Sequence, residues 1–226
     1  MTPALPPLKA RYVALVLAGA VLLLALQWLP DAAQALRFSR PAFAAGQWWL
    51  LLSGQTVHLS LAHAALNALA LVVSLLAWRV WLVLPAQGLA LAGGALGVAL
   101  ILLFDRDCSF YAGLSGALHG LWAGNAVLLL CAASRAPDLT PPPAAAESSQ
   151  LWSRSVALGV LLALSAKLLW QGSDAAGGFS AWLQIPVYRP AHWAGAVGGL
   201  LAAVLALALA PPAPRAAPAR SQRDPR

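Results

Sequence analysis

The sequence predicts an all-α membrane protein with six transmembrane helices and both termini in the cytoplasm. Of its 226 residues, 61% are hydrophobic and 9% are charged, whereas about a quarter of the residues of a soluble domain are charged. Long uncharged apolar runs recur along the chain, and basic residues fall between them. A bilayer offers no partners to backbone polar groups, so helices that satisfy their own hydrogen bonds are the structure that this composition favours.

Uncharged apolar runs mark five of the six predicted spans, and each is long enough to cross about 30 Å of hydrocarbon. They cover residues 12–29, 58–78, 80–104, 108–134 and 191–210. The remaining span, 151–170, contains Arg154 and Lys167 near its two ends. Long basic side chains at such positions can extend to the lipid headgroups, so we retain this segment as span five.

The basic residues favour the orientation with both termini inside. In that orientation nine of them are cytoplasmic: Lys9, Arg11, Arg79, Arg135, Arg154, Arg215, Arg220, Arg223 and Arg226. Four lie outside, namely Arg37, Arg40, Arg106 and Arg189. Because positive residues are enriched in cytoplasmic loops, the net charge of +7 indicates topology and not nucleic-acid binding.

The chain is predicted to contain three parts: a cytoplasmic N-terminal segment 1–11, a membrane domain 12–210 and a tail 211–226. The tail is basic and rich in proline, and we expect it to be disordered. Residues 135–150, with three consecutive prolines and an alanine run, are predicted to form an inner loop. An alternative for span one is a secretory signal peptide, because the small-residue pattern Ala-Gln-Ala at 33–35 follows it.

All four histidines, with one serine and one asparagine, are predicted to lie within a few turns of the outer membrane surface. Spans two, four and six all run from outside to inside, so their first turns share the outer leaflet. These turns carry His63, Asn67, Ser115, His119 and His192, and His58 lies in the interfacial loop beside them. Polar side chains at membrane depth are costly and normally face the bundle interior, so the cluster is a candidate functional site.

Small residues predict that spans four and six pack closely. Glycines recur at four-residue intervals in both spans: Gly116, Gly120 and Gly124 in span four, and Gly195 and Gly199 in span six. This spacing lets helix backbones approach each other. On a helix, His192 shares a face with the two glycines of its span, which would bring its imidazole beside Ser115. Packing without any reaction is the alternative interpretation of these glycines.

Ser115 is the candidate nucleophile and His192 the candidate base. The serine lies in the tetrapeptide GLSG, where Gly113 can adopt a tight backbone turn and Gly116 leaves room beside the hydroxyl. A serine hydroxyl becomes nucleophilic when a base removes its proton. His192 on a facing helix can reach the hydroxyl, whereas His119, one turn along the same helix, is less able to orient toward it.

Acyl transfer also requires hydrogen-bond donors for the oxyanion that forms. His63 and Asn67 are four residues apart on one helical face, and both can donate. The backbone amide of Ser115 at a helix N-terminus is a further donor. The alternative interpretation of Asn67 is structural: its amide bridges two helices and takes no part in a reaction.

A histidine metal site is the other chemistry that four histidines at one depth permit, because imidazole is a common zinc ligand. The sequence contains no HExxH motif, and no carboxylate lies beside any histidine. We therefore expect no metal and no other cofactor.

Three motifs together resemble those of the rhomboid family of intramembrane serine proteases. They are HAALN at 63–67, GLSG at 113–116 and AHWAG at 191–195, on spans two, four and six. The resemblance implies a six-helix membrane core over about residues 12–210. It also implies a dyad of Ser115 and His192 without a third acid, and an oxyanion site of His63, Asn67 and backbone amides.

Further segments resemble the rhombosortase subgroup of bacterial rhomboids: GLSGALHG with His119, GQWWLLLSGQTVHLS and the KLLW of span five. The resemblance implies an inner-membrane protease with its site toward the periplasm. Its expected partners are lipid and a transmembrane substrate with small residues near the outer surface, such as a secreted protein with a GlyGly-CTERM tail. Leu50 after Trp49 departs from the family's WR motif, and Gln171 stands where an acid is expected. A rhomboid-like protein that binds helices without cleaving them is the alternative.

Overall fold

The computed structural model of the protein describes residues 10–29, 31–132, 144–171 and 187–210, and these are mostly helical. In chain order the elements are α1 (Ala10–Ala25), α2 (Ala32–Leu36), β1 (Phe38–Ser39), α3 (Arg40–Ala44), α4 (Leu50–Ser53), α5 (Leu61–Trp78), α6 (Leu84–Phe104), β2 (Phe110–Tyr111), α7 (Ser115–Ala132), α8 (Ala144–Trp170) and α9 (Arg189–Leu209).

Four helices are long and apolar enough to cross a membrane: α5, α6, α8 over Gln150–Trp170, and α9. Two further apolar helices, α1 and the Ser115–Cys131 part of α7, are shorter. The structure therefore indicates an integral membrane protein with at least four helices suited to spanning the bilayer.

The helical part of span four begins at Ser115, the residue that the sequence analysis places at a helix N-terminus, and β2 and Gly113 (φ +129°) occupy the earlier residues of the apolar run 108–134. A predicted loop differs from the structure. The predicted inner loop 135–150 is too long, because α8 begins at Ala144, in a run of alanines that favours helix. The predicted tail 211–226 and residues 1–9 lie outside the described residues.

Glycines bring the backbones of α7 and α9 into direct contact. A Cβ atom on Gly195 would overlap the carbonyl group of Gly116, and one on Gly199 would overlap that of Gly120. A Cβ atom on Gly124 would come within 2.6 Å of the Gly199 oxygen. Because nothing larger than hydrogen fits at these positions, the spacing between α7 and α9 is set by backbone contact.

The remaining long helices pack around this pair. On α6, Gly94 lies against Gly120 of α7, and Gly97 lies against Ala194 of α9. α1 packs on α5 through an apolar cluster that includes Val16 and Leu71. α8 packs on α7 and α9 through two smaller clusters. The helices that carry the candidate site residues are thus α5, α7 and α9, with α8 beside them.

Arg40 anchors the segment between α1 and α5. Its Nη2 atom donates to the carbonyl of Leu102 at 2.6 Å and to that of Asp105, and its Nε atom donates to the carbonyl of Cys108 at 3.3 Å. These bonds satisfy carbonyls at the C-terminal end of α6. Leu50, the departure from the WR motif, is buried in an apolar cluster with residues of this region. The guanidinium that anchors this segment is that of Arg40, ten residues before Leu50.

Candidate active site

Ser115 and His192 face each other where α7 meets α9. Ser115 is the first residue of α7, and His192 lies in the first turn of α9. The Oγ atom of Ser115 is 2.9 Å from Nε2 of His192. Gly195, about one turn beyond His192, lies against the carbonyl of Gly116. The close backbone contact thus holds the hydroxyl and the imidazole within hydrogen-bond distance.

A second hydrogen bond fixes the tautomer of His192. Its Nδ1 atom lies 2.9 Å from Oε1 of Gln171, an oxygen that can only accept. Nδ1 therefore carries the proton, and the lone pair of Nε2 faces the hydroxyl of Ser115, which donates to it. This is the arrangement that a general base requires before it removes a proton.

His119 is oriented away from the hydroxyl of Ser115. Its ring stacks on that of His192, with centroids 4.2 Å apart and planes 16° apart. Its Nδ1 atom donates to the backbone carbonyl of Ser115 at 2.7 Å, and its Nε2 atom accepts from Nζ of Lys167 at 2.9 Å. Both ring nitrogens of His119 are therefore engaged with groups other than the serine hydroxyl.

The two residues predicted to support an oxyanion lie in the same cavity wall as Ser115. The ring of His63 lies so close to Gly113 that a Cβ atom there would be 2.8 Å from its Cε1 atom. Asn67 donates from Nδ2 to the carbonyl of His63 at 3.0 Å, which leaves its second N–H free of that bond. The positive φ of Gly113 and its missing side chain allow His63 to approach the start of α7.

His58 lies behind the site and supports it. The side chain is fully buried in the loop before α5, and its Nε2 atom accepts from the backbone N–H of Leu114 at 3.4 Å. Its ring meets that of His63 edge-on, with centroids 4.8 Å apart. His58 thus connects His63 with the backbone that leads into Ser115.

Acidification is expected to destabilise the fold partly through His58. Burial, and next the nearby His63, lower the pKa of His58 from 6.5 to about 3. Below pH 6.5 the unfolded chain binds a proton at His58 that the folded chain does not. The free energy of unfolding therefore decreases as the pH falls from 6.5 toward 3. A His58→Gln variant keeps an acceptor for Leu114 but does not titrate. Its melting temperature should fall less than that of the parent between about pH 7 and pH 4; equal falls would contradict this role.

A cavity of about 880 Å³ lies beside the dyad, between α5 and α8. Its lining comes mainly from α5, α7, α8 and α9, together with residues before α7 and α9. Most of the lining surface is apolar, and the polar lining residues include Asp105 and Asp107 in addition to those around Ser115 and His192. The cavity is therefore suited to an apolar chain segment that presents one polar group to the hydroxyl.

Sequence reasoning does not place two residues that reach the site, one in the last turn of α8 and one directly after it. Lys167 was predicted to extend to the headgroups, but its ammonium donates to His119. Gln171 was treated as a departure from a family pattern, but it holds His192. The two residues are four apart, so they share one helical face. The spacing indicates a shared face but does not show which helix that face meets.

Tyr111 is a third residue that the sequence analysis did not single out. Its side chain is 5% exposed, and its hydroxyl faces Gly116 and the side chain of Ser115. Burial raises the pKa of Tyr111, which keeps the hydroxyl protonated. The side chain therefore adds a hydrogen-bond donor to the wall next to the candidate nucleophile.

The geometry gives little support to a histidine metal site. Within the described ranges, no three His, Cys, Asp or Glu side chains are grouped closely enough to hold a metal ion. All four ring nitrogens of His119 and His192 form hydrogen bonds with protein groups. Their hydrogen bonds form a connected chain from Lys167 to Ser115 and on to Gln171.

Comparisons with models of protein families, with curated proteins and with solved structures find no match to this chain. The functional argument therefore rests on the arrangement of Ser115, His192 and the groups that contact them.

Proposed function

We propose that the protein is an intramembrane serine endopeptidase of the rhomboid type, with Ser115 and His192 as its catalytic dyad. The supporting observation is the 2.9 Å contact between Oγ of Ser115 and Nε2 of His192, in the tautomer that accepts the hydroxyl proton. An activated serine needs an adjacent base, and the imidazole of His192 lies in that position.

In this proposal α1, α5, α6, α7, α8 and α9 all cross the bilayer. Both termini are in the cytoplasm, and the dyad faces the periplasm from within a bacterial inner membrane. The excess of basic residues on the proposed inner side supports this orientation. The late start of α7 supports a site below the membrane surface, because Ser115 follows a loop that replaces the first residues of the span.

The proposed reaction is hydrolysis of a peptide bond through an acyl enzyme. Ser115 Oγ attacks the substrate carbonyl carbon while Nε2 of His192 removes the hydroxyl proton. His63, Asn67 and the Ser115 amide donate to the carbonyl oxygen as it becomes negative. His192 then returns the proton to the leaving amine. Water, deprotonated by the same imidazole, attacks the acyl carbon, and the imidazolium returns the proton to Ser115 Oγ as the carboxylic acid leaves.

The proposed substrate is a transmembrane segment with small residues near the periplasmic surface, as in GlyGly-CTERM tails. The apolar cavity between α5 and α8 supports this class, because an apolar helix could reach the dyad laterally from the lipid. An intact helix hides its carbonyls in internal hydrogen bonds. Glycine lowers the cost of unwinding by about 1 kcal/mol per residue relative to alanine, which exposes the carbonyl to Ser115.

The test is cleavage in liposomes of a secreted domain fused to a tail with a Gly-Gly motif, an apolar span and a basic end. We expect the parent protein to release the domain and the Ser115→Ala variant to leave it intact. A fusion in which both glycines are replaced by leucine is the matched control and should be cleaved more slowly. If Ser115→Ala cleaves at the parental rate, the proposal is wrong. If a folded parent binds the tail without cutting it, the alternative of a non-catalytic helix binder replaces the proposal.

A further inference from the structure

We propose that Gln171 is a positioning residue that completes a neutral Ser115–His192–Gln171 triad. This inference rests on the proposed function, because it assigns a role in the same reaction. Oε1 of Gln171 lies 2.9 Å from Nδ1 of His192, on the side of the ring opposite to the contact with Ser115. Gln171 follows directly after α8, so the C-terminal end of this helix brings the third member into the site.

The contact determines which nitrogen of His192 is the base. A neutral imidazole carries its proton on either nitrogen, and only the form with a bare Nε2 can accept from Ser115. The amide oxygen of Gln171 accepts from Nδ1–H and so favours that form. It also opposes rotation of the ring, which would turn carbon atoms toward the hydroxyl.

An amide at this position orients the imidazole without adding a charge. Charged residues already line the cavity, namely Asp105, Asp107 and Lys167. A glutamine oxygen accepts from Nδ1–H of His192 and leaves that balance of charges unchanged. It also gives less stabilisation to the imidazolium that forms in the reaction, so the triad is expected to differ in pH dependence from one with an acid.

Lys167 strengthens the same arrangement through His119. Its ammonium donates to Nε2 of His119, whose ring stacks on His192 at 4.2 Å. Lys167 and Gln171 are four residues apart on one helical face, so α8 contacts both stacked rings. The orientation of His192 is therefore coupled to the position of α8.

The test compares Gln171→Leu and Gln171→Glu with the parent in the rate of Ser115 modification by a fluorophosphonate. We expect the Leu variant to react about 10- to 100-fold more slowly, because the imidazole loses its orienting partner. We expect the Glu variant to keep most of the rate, and the acid limb of its rate–pH profile to move to higher pH, because a carboxylate stabilises the imidazolium. A merely structural role would not move that limb. Gln34→Leu, the same substitution at an exposed position of α2, is the matched control.

Melting temperatures show whether each variant folds. Parental rates in the Leu variant, or an unmoved acid limb in the Glu variant, would overturn the role of Gln171 and leave the proposed function intact. A folded parent that acquires no adduct at Ser115 and does not cleave the fused tail would overturn both. If Gln171→Leu does not fold, the position of the acid limb in the rate–pH profile of Gln171→Glu alone tests the role of Gln171.

Discussion

A His192→Ala variant is expected to cleave a transmembrane substrate about 10²- to 10⁴-fold more slowly than the parent, since a general base contributes roughly that much. The imidazole is the group placed to remove the proton of Ser115, with its Nε2 atom 2.9 Å from the hydroxyl. His119→Ala is the matched variant, because its ring lies in the same stack but both its nitrogens are bonded elsewhere. We expect that variant to lose about tenfold, through poorer positioning of His192.

The measurement is the rate of product formation in liposomes at equal protein concentration, with melting temperatures as the control for folding. A larger loss in His119→Ala than in His192→Ala would transfer the role of base to His119. Equal small losses would contradict general-base catalysis by either histidine.

A Gly195→Leu variant is expected to show the largest loss of stability. A Cβ atom at this position would overlap the carbonyl of Gly116, so α7 and α9 would have to separate. Overpacking in a dense interior costs about 1 to 3 kcal/mol, and contact with rigid backbone puts this variant at the upper end of that range. Separation of the two helices would also move His192 away from Ser115, so fluorophosphonate labelling should fall with stability.

Gly159→Leu is the control for this prediction, because an added Cβ atom at Gly159 of α8 meets nothing within 4 Å. We expect that variant to melt within a few degrees of the parent in detergent and to be labelled normally. A Gly195→Leu variant that melts at the parental temperature would contradict the close packing of α7 and α9.

Much of the architecture could be predicted from the sequence because apolar runs in a membrane protein form helices in order to satisfy the backbone. Each predicted span contains a helix, and the helical repeat places the glycines of α9 on the same face as His192. The start of α7 could not be predicted from hydropathy, because the residues before Ser115 are apolar but form a strand and a turn. Such a strand depends on a partner, β1, far away in the chain.

The sequence predicts the candidate site only where a short motif contains the reactive residue. Ser115 could be identified from the tetrapeptide GLSG, and His192 because it shares a helical face with Gly195 and Gly199. Lys167 and Gln171 could not be placed, because which face of α8 points to α7 depends on tertiary packing and not on the sequence of α8 alone. The role of Arg40 depends similarly on carbonyls that lie more than 60 residues away.

The most direct test of the central claim is intact-mass analysis of the purified protein after reaction with a fluorophosphonate, beside Ser115→Ala and His192→Ala. An activated serine should give the parent a single adduct, located at Ser115 by peptide mapping, and neither variant should acquire it at a comparable rate. Absence of the adduct from a folded parent that also fails to cleave the fused tail would contradict the claim, as would an adduct that persists in Ser115→Ala.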